Sequence, residues 1–288
     1  MNNKSYELVV SNNMKYVAGI CWRNKINDMY EMKVWHANAN YMREICVLFV
    51  DYDLGGERFA ISNDGKYVAT AQYETSKVGN LHIYEIESGE DIFEGVSLRG
   101  IQWVAFGDYQ TLLVGTEEKG IFVFNIFSQI CDKKIKGKKF FGETILLLND
   151  KKIEYMGRIF KASTFAYLCA KETPIGILLS EANGDLCYYN NGGQLLWRTD
   201  CLNLGHFIII HYSRNKNIVF GVLLNPRKRG DERMHFVALN HNTGKVIFAN
   251  SIDSADYVFL EYSESVMLVN GKGRIYTFIN NQLEEDIY

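Results

Sequence analysis

The sequence predicts an all-β protein, a single β-propeller of about seven four-stranded antiparallel blades spanning residues 1–288. Three observations predict it. Short runs rich in Val, Ile, Tyr and Phe recur along the chain, each closed by Asn, Asp or Gly, which is the grammar of strand and turn. These runs group in fours, at a repeat of roughly 40 to 45 residues that marks a stacked array. Sustained helical periodicity is absent, and the two prolines, Pro174 and Pro226, mark no linker or domain boundary.

Taken in chain order, the first unit covers Tyr6 to Val50, with a longer middle loop. The clearest unit runs from Phe59 to Glu94. It contains Phe59 to Ser62, the turn Asn63-Asp64-Gly65, a strand from Lys66 to Ala71, the loop Tyr73 to Asn80, Leu81 to Ile86, and a fourth strand from Glu90 to Glu94. The next repeats the pattern with Gln102 to Phe106, Thr111 to Thr116 and Gly120 to Ile126. The span Phe140 to Lys171 fits poorly. As a degenerate blade it gives seven blades, as an insertion six. Seven is preferred, because 288 residues then give about 41 per blade. Later units comprise Phe207 to Tyr212, Asn217 to Leu224 and His235 to Asn240, then Tyr257 to Tyr262, Ser265 to Val269 and Gly273 to Ile279.

Composition excludes several classes. Hydrophobic residues are 47%, charged residues 23% and the net charge −3, which rules out wholesale disorder and a strongly basic nucleic-acid binder. The opening residues reach only Leu8-Val9-Val10 as an apolar run, too short for a signal-peptide core, and no run approaches a membrane span. The six cysteines form no C-x-x-C pair and read as buried thiols of a reducing cytoplasm. The Asn-, Lys-, Ile- and Tyr-rich, Pro-poor composition matches chains from AT-rich bacterial genomes.

The turn Ser62-Asn63-Asp64-Gly65-Lys66-Tyr67, with the strand–turn–strand pieces after it, resembles the WD-repeat-like and quinoprotein-like β-propellers. Ala238 to Phe248 looks like the last hairpin of a quinoprotein-type blade, and Ile83 to Phe93, Tyr188 to Trp197 and Ile275 to Asp286 resemble it progressively less. The resemblance implies the fold over most of the chain. The Trp-Asp dipeptide of true WD repeats is missing, so blade stability is expected mainly from apolar packing. The adjacent cysteines common in quinoprotein dehydrogenases are also missing, and no cofactor is expected.

No catalytic residues are expected. The sequence holds no nucleophile elbow, P-loop or dinucleotide fingerprint. Ser62-Asn63-Asp64-Gly65 resembles the sialidase Asp-box only in part, because Gly65 follows Asp64 directly, and reads as a hairpin turn. His206 and His211 are five apart, which on one regular strand places them on opposite faces and excludes a shared metal. His36 and His82 read as packed or rim histidines, and no metal is expected. The run Lys133-Lys134-Ile135-Lys136-Gly137-Lys138-Lys139 reads as a solvated blade edge that discourages strand pairing.

Loops joining second to third strands, and one blade to the next, gather on one face and are free to carry a partner site. There the sequence places the candidate partner-binding residues Trp22, Asp51, Tyr52, Asp53 and Tyr73. Glu74, Glu117, Glu118, Glu181 and Asp253 complete the set. Carboxylates with aromatic anchors suit a basic protein. The expected function is therefore non-enzymatic protein binding in the cytoplasm, without direct contact to nucleic acid or membrane. Some immunity proteins of polymorphic toxin systems are similar, which implies an inhibitor capping a basic toxin nuclease. The alternatives are a hydrolase- or lyase-type propeller enzyme with carboxylates at the central channel, and a carbohydrate-binding propeller.

Overall fold

The computed structural model describes residues 6–38, 42–51, 58–71, 78–93, 96–107, 110–117, 120–141, 144–162, 166–201, 203–230, 233–253, 256–262, 265–272 and 274–286, without the side chains of 22–25, 78 and 286. The described residues form seven four-stranded antiparallel sheets and no α-helix, a seven-bladed β-propeller. Blade 1 holds β1 (Glu7–Val10), β2 (Tyr16–Ile26), β3 (Met29–Ala37) and β4 (Met42–Val50). Blade 2 holds β5 (Phe59–Ile61), β6 (Tyr67–Ala71), β7 (Val78–Glu85) and β8 (Ser97–Arg99). Blade 3 holds β9 (Ile101–Phe106), β10 (Thr111–Thr116), β11 (Gly120–Asn125) and β12 (Cys131–Ile135). Blade 4 holds β13 (Lys139–Phe141), β14 (Ile145–Asn149), β15 (Lys152–Tyr155) and β16 (Arg158–Lys161). Blade 5 holds β17 (Tyr167–Thr173), β18 (Gly176–Glu181), β19 (Asp185–Asn190) and β20 (Leu195–Asp200). Blade 6 holds β21 (His206–Ser213), β22 (Ile218–Leu224), β23 (Met234–Asn240) and β24 (Val246–Ile252). Blade 7 holds β25 (Tyr257–Tyr262), β26 (Ser265–Asn270), β27 (Ile275–Ile279) and β28 (Gln282–Asp286).

The first strand of each blade is innermost. β1 touches β5 and β25, and β17 touches β13 and β21, so the inner strands ring a central channel. Each blade is too thin to bury its own faces, so apolar side chains interdigitate between blades. Ile20, Met32 and Val34 of blade 1 pack on Phe59, Val68 and Tyr84 of blade 2. The same holds between blades 2 and 3, 4 and 5, 5 and 6, and 6 and 7. Val17 and Ala37 meet Val258, Leu260 and Met267 where the last blade closes on the first. That seam also carries Tyr6 N–H to Gly271 O at 2.8 Å and Tyr262 OH to Met14 O at 3.1 Å, and among the described residues no strand crosses it. Between blades 3 and 4 lies a cavity of about 550 Å³, lined by Ala105, Leu113, Val123 and Phe140 among others.

The span Phe140 to Lys171 is settled as a blade. Lys139 to Lys161 supplies four strands of three to five residues, the shortest blade, and β17 belongs to the next. Two boundaries differ from the expectation. Blade 1 has no long middle loop: β2 and β3 continue to a two-residue turn, Asn27-Asp28, with φ of 52° and 67°. Asn and Asp tolerate this left-handed pair, which matches the twist of the flanking strands. Trp22 therefore lies within β2. In blade 2 the fourth strand is β8, paired with Val78–Asn80, and Asp91 makes only one bridge, to Tyr84. The Asp91 carboxylate explains this, accepting the N–H groups of Ile83 and Phe93 at 3.1 Å each and pairing with His82 at 2.6 Å. The side chain interrupts the ladder there, while backbone bonds from Glu85 N–H to Glu90 O at 2.9 Å and from Ile92 N–H to Ile83 O at 2.8 Å remain on either side.

Candidate partner-binding face

In a meander of four antiparallel strands, the turns between first and second and between third and fourth strands share one end. The other end, here the upper face, carries the second-to-third turns and the blade-to-blade loops. Asp51 follows β4, Glu117 follows β10, Glu181 ends β18 and Asp253 follows β24, so all four sit at upper-face positions. Their environments differ. Asp51 is half-buried, and its carboxylate joins no ion pair among the described residues. Its backbone N–H donates to Tyr84 OH at 3.0 Å, and its carbonyl accepts from Thr70 at 2.7 Å. Glu117 is exposed, with its backbone N–H fixed on Gly100 O at 2.8 Å. Glu181 is only 4% exposed, inside blade 5. Asp253 is engaged by Arg274 at 3.2 Å and Lys272 at 3.7 Å. Tyr52, Asp53, Tyr73, Glu74, Glu118 and the Trp22 side chain lie outside the described residues.

The acidic set is not continuous around the ring. Lys136, Lys138 and Lys151 are exposed at upper-face positions of blades 3 and 4, with Lys138 on Asp150 at 2.8 Å. Lys133 and Lys134 lie on the outer strand β12, the solvated blade edge expected of that run, with Lys134 over the Phe122 ring at 5.2 Å.

Sequence reasoning missed β4. It is nine residues long, the longest outer strand, and carries no charge from Ile45 to Val50. Cys46, Leu48 and Val50 turn toward blade 2, while Ile45, Val47 and Phe49 remain 43%, 42% and 38% exposed. The other outer strands are shorter, and most carry charges, as in CDKKI, RIFK and QLEED. β24 lacks charges but turns polar at Asn250 and Ser251. The signal for β4 was the uncharged run itself, which becomes notable only once β4 is known to be an outer edge.

The inner strands hold a second polar group. His211 donates from Nε2 to Glu261 at 2.9 Å, and Ser213 donates to the other Glu261 oxygen at 2.6 Å. Burial holds the His211 imidazole below its ordinary pKa. Burial also pushes Glu261 up, but the hydrogen bonds from His211 and Ser213 outweigh it, and the carboxyl lies below its usual range. The expectation that His206 and His211 face opposite ways is corrected. Ile208 is an extra residue between Phe207 and Ile209, so His206 opposes Leu224 and His211 opposes Phe220, on one face. Four register positions, about 13 Å, still separate them. Among the described residues no three metal-ligating side chains converge.

The cysteines are free. Cys21, Cys169, Cys187 and Cys201 are buried as expected, whereas Cys46 is half-buried and Cys131 is exposed on β12. Burial pushes the Cys169 thiol up to about 12.

No protein-family model matches the chain, and no curated protein matches it. Among solved structures it is similar to the computationally designed Ika8 protein, with a TM-score of 0.60, 16% identity, and coverage of 99% of this chain and 87% of that one. It is also similar to the C-terminal WD40 domain of Sif2, with a TM-score of 0.59, 10% identity, and coverage of 96% and 82%. At such identities the likeness concerns the fold: this chain is a seven-bladed β-propeller with a WD40 domain among its structural neighbours.

Proposed function

We propose that the chain is a non-enzymatic protein-binding propeller that docks a basic partner on its upper face at blades 1 to 3. The supporting observation is β4, whose exposed Ile45, Val47 and Phe49 lead directly to the half-buried Asp51. An apolar strip supplies buried area, and neighbouring carboxylates supply steering and register for a cationic surface. In sequence, Tyr52 and Asp53 continue that strip, and Trp22, Tyr73, Glu74, Glu117 and Glu118 belong to the same and the next two blades. Glu181 and Asp253 contribute less on this reading, one being buried and the other already paired. The sharper form of the proposal is an inhibitor, such as an immunity protein that caps a basic toxin nuclease.

The test uses a partner captured with the intact chain and identified by mass spectrometry. Replacing Asp53, Glu74 and Glu117 together by Lys is expected to weaken binding at least tenfold while circular dichroism stays that of the parent. Unchanged affinity for the captured protein would remove the acidic docking site from consideration.

A further inference from the structure

The outer edge of blade 1 is open. β4 is bonded to β3 by a ladder that runs from Tyr30 opposite Val50 to Ala37 opposite Met42. Among the described residues its other edge takes no strand and no backbone hydrogen bond. The side toward blade 2 is fixed: Cys46 Sγ donates to Ile86 O at 3.2 Å, and Leu48 and Val50 pack on that blade. The alternate residues Ile45, Val47 and Phe49 stay exposed. A held strand with a row of unpaired N–H and C=O groups is a template for another strand.

Charges mark the two ends of this edge. Asp51 follows β4 at the upper end. Its carboxylate acts on His82 only as a distant charge, because that ring is paired with Asp91 at 2.6 Å. Arg43, exposed near the lower end, joins no ion pair among the described residues, whereas Glu44 beside it is paired with Lys33. Ile45 to Val50 carry no charge between them. The edge therefore matches an extended segment that is cationic at the Asp51 end and apolar at alternate positions. A second copy of β4 fits less well. Laid antiparallel about Val47, it brings Glu44 level with Val50. Because Ile45 is an extra residue, Glu44 sits opposite Trp35 on the blade 7 side while Val50 faces blade 2. Opposed residues of an antiparallel pair share a face.

We propose that β4 receives an extended segment of the docked protein as a fifth, antiparallel strand of blade 1, with a Lys or Arg of that segment on Asp51. This rests on the reading that β4 belongs to the docking face. It adds that main-chain hydrogen bonds supply affinity, while Ile45, Val47 and Phe49 select alternate apolar side chains.

The probe is the capped peptide Lys-Thr-Val-Thr-Val-Thr-Val-Glu, whose lysine lies opposite Asp51 when its valines oppose Phe49, Val47 and Ile45. It is titrated into the full chain beside two versions, one N-methylated at every valine and one at every threonine. In an antiparallel ladder alternate residues turn their N–H groups to the neighbouring strand. One-to-one binding of the parent peptide is expected, with a loss of at least tenfold in one methylated version and a change within about threefold in the other. Val47→Lys is expected to weaken the parent peptide at least tenfold and Asp51→Asn about threefold, with thermal melts confirming that both variants are folded. Absence of binding, equal loss in both methylated versions, or unchanged binding by either variant would overturn the proposal. So would sedimentation of the chain alone as a dimer that Val47→Lys dissolves, since a second copy would then hold the edge. The triple replacement of Asp53, Glu74 and Glu117 leaves β4 intact. If it weakens capture while the peptide fails to bind, strand addition is overturned and docking on the acidic face stands.

Discussion

Ser62 shows how a single side chain fixes a turn. It is fully buried; its hydroxyl donates to Asp64 at 2.7 Å and accepts from the N–H groups of Lys66 and Tyr67 at 3.2 and 3.0 Å. Gly65 follows at φ 68°, and a Cβ there would meet the Tyr16 ring at 2.3 Å. Blade 1 repeats the device as Ser11-Asn12-Asn13-Met14-Lys15-Tyr16, with Met14 at φ 58° in the glycine's place. Gly65→Ala is therefore expected to destabilise by about 1–3 kcal/mol, read as a lower urea midpoint, since it combines positive φ with a steric clash. A change below 0.5 kcal/mol, roughly the size of an ordinary surface substitution, would show that the turn yields freely. Two histidines carry opposite pH signs. Hydrogen bonding to Asp91 raises His82, so its stabilisation is complete below the unfolded value of 6.5 and is lost as pH rises through the folded one. Burial lowers His211, so the unfolded state takes up the proton first and stability falls as pH drops below 6.5. His82→Gln should thus cost more stability at pH 5.5 than at pH 9, and His211→Gln more at pH 8 than at pH 5.5. Equal costs at both pH values would remove the linkage.

The outer strands show how an element manages a free edge. β12 places Asp132, Lys133 and Lys134 where another chain would pair, and β8 is only three residues long. Both devices discourage edge-to-edge association. β4 has neither over Ile45–Val50, which fits an edge kept open for a partner. A Val47→Lys variant is expected to keep its melting temperature within about 2 °C, because the side chain is 42% exposed, and to weaken capture of the docked protein. Full capture by the folded variant would remove β4 from the interface. The inner strands carry a different device. Gln102, Leu168 and Ile208 are extra residues near the starts of β9, β17 and β21, and all three are exposed. A bulge reverses the alternation of every side chain beyond it, and alternation is what a sequence reading assumes. His206 and His211 share a face for that reason.

At the level of the whole ring, stability is set by contacts between blades. The seam from blade 7 to blade 1 is filled by Leu260, fully buried against Val17 and Ala37. Leu260→Ala is expected to cost about 2–5 kcal/mol in chemical denaturation, the usual cost of a core cavity. The gap between blades 3 and 4 gives the opposite prediction. Ala105 lines that cavity, and Ala105→Leu is expected to stabilise by roughly 0.5–2 kcal/mol, as cavity filling commonly does. A lower denaturation midpoint would show that the space is not available to a side chain.

By itself the sequence determined the architecture: the period-2 runs, the Asn, Asp and Gly turns and their repeat gave an all-β propeller of about seven blades, with six left open until the structure settled the fourth blade, because strand alternation and turn chemistry are local properties. It also placed the Lys133–Lys134 edge and most of the buried thiols. It named the candidate upper-face loops, since loop position follows from strand order. Only the tertiary structure decided that Glu181 is buried, that Asp253 is paired and that β4 keeps an apolar edge. Burial and charge pairing are set between blades, by residues dozens of positions apart, and one strand's pattern carries no record of what the neighbouring blade presents to it.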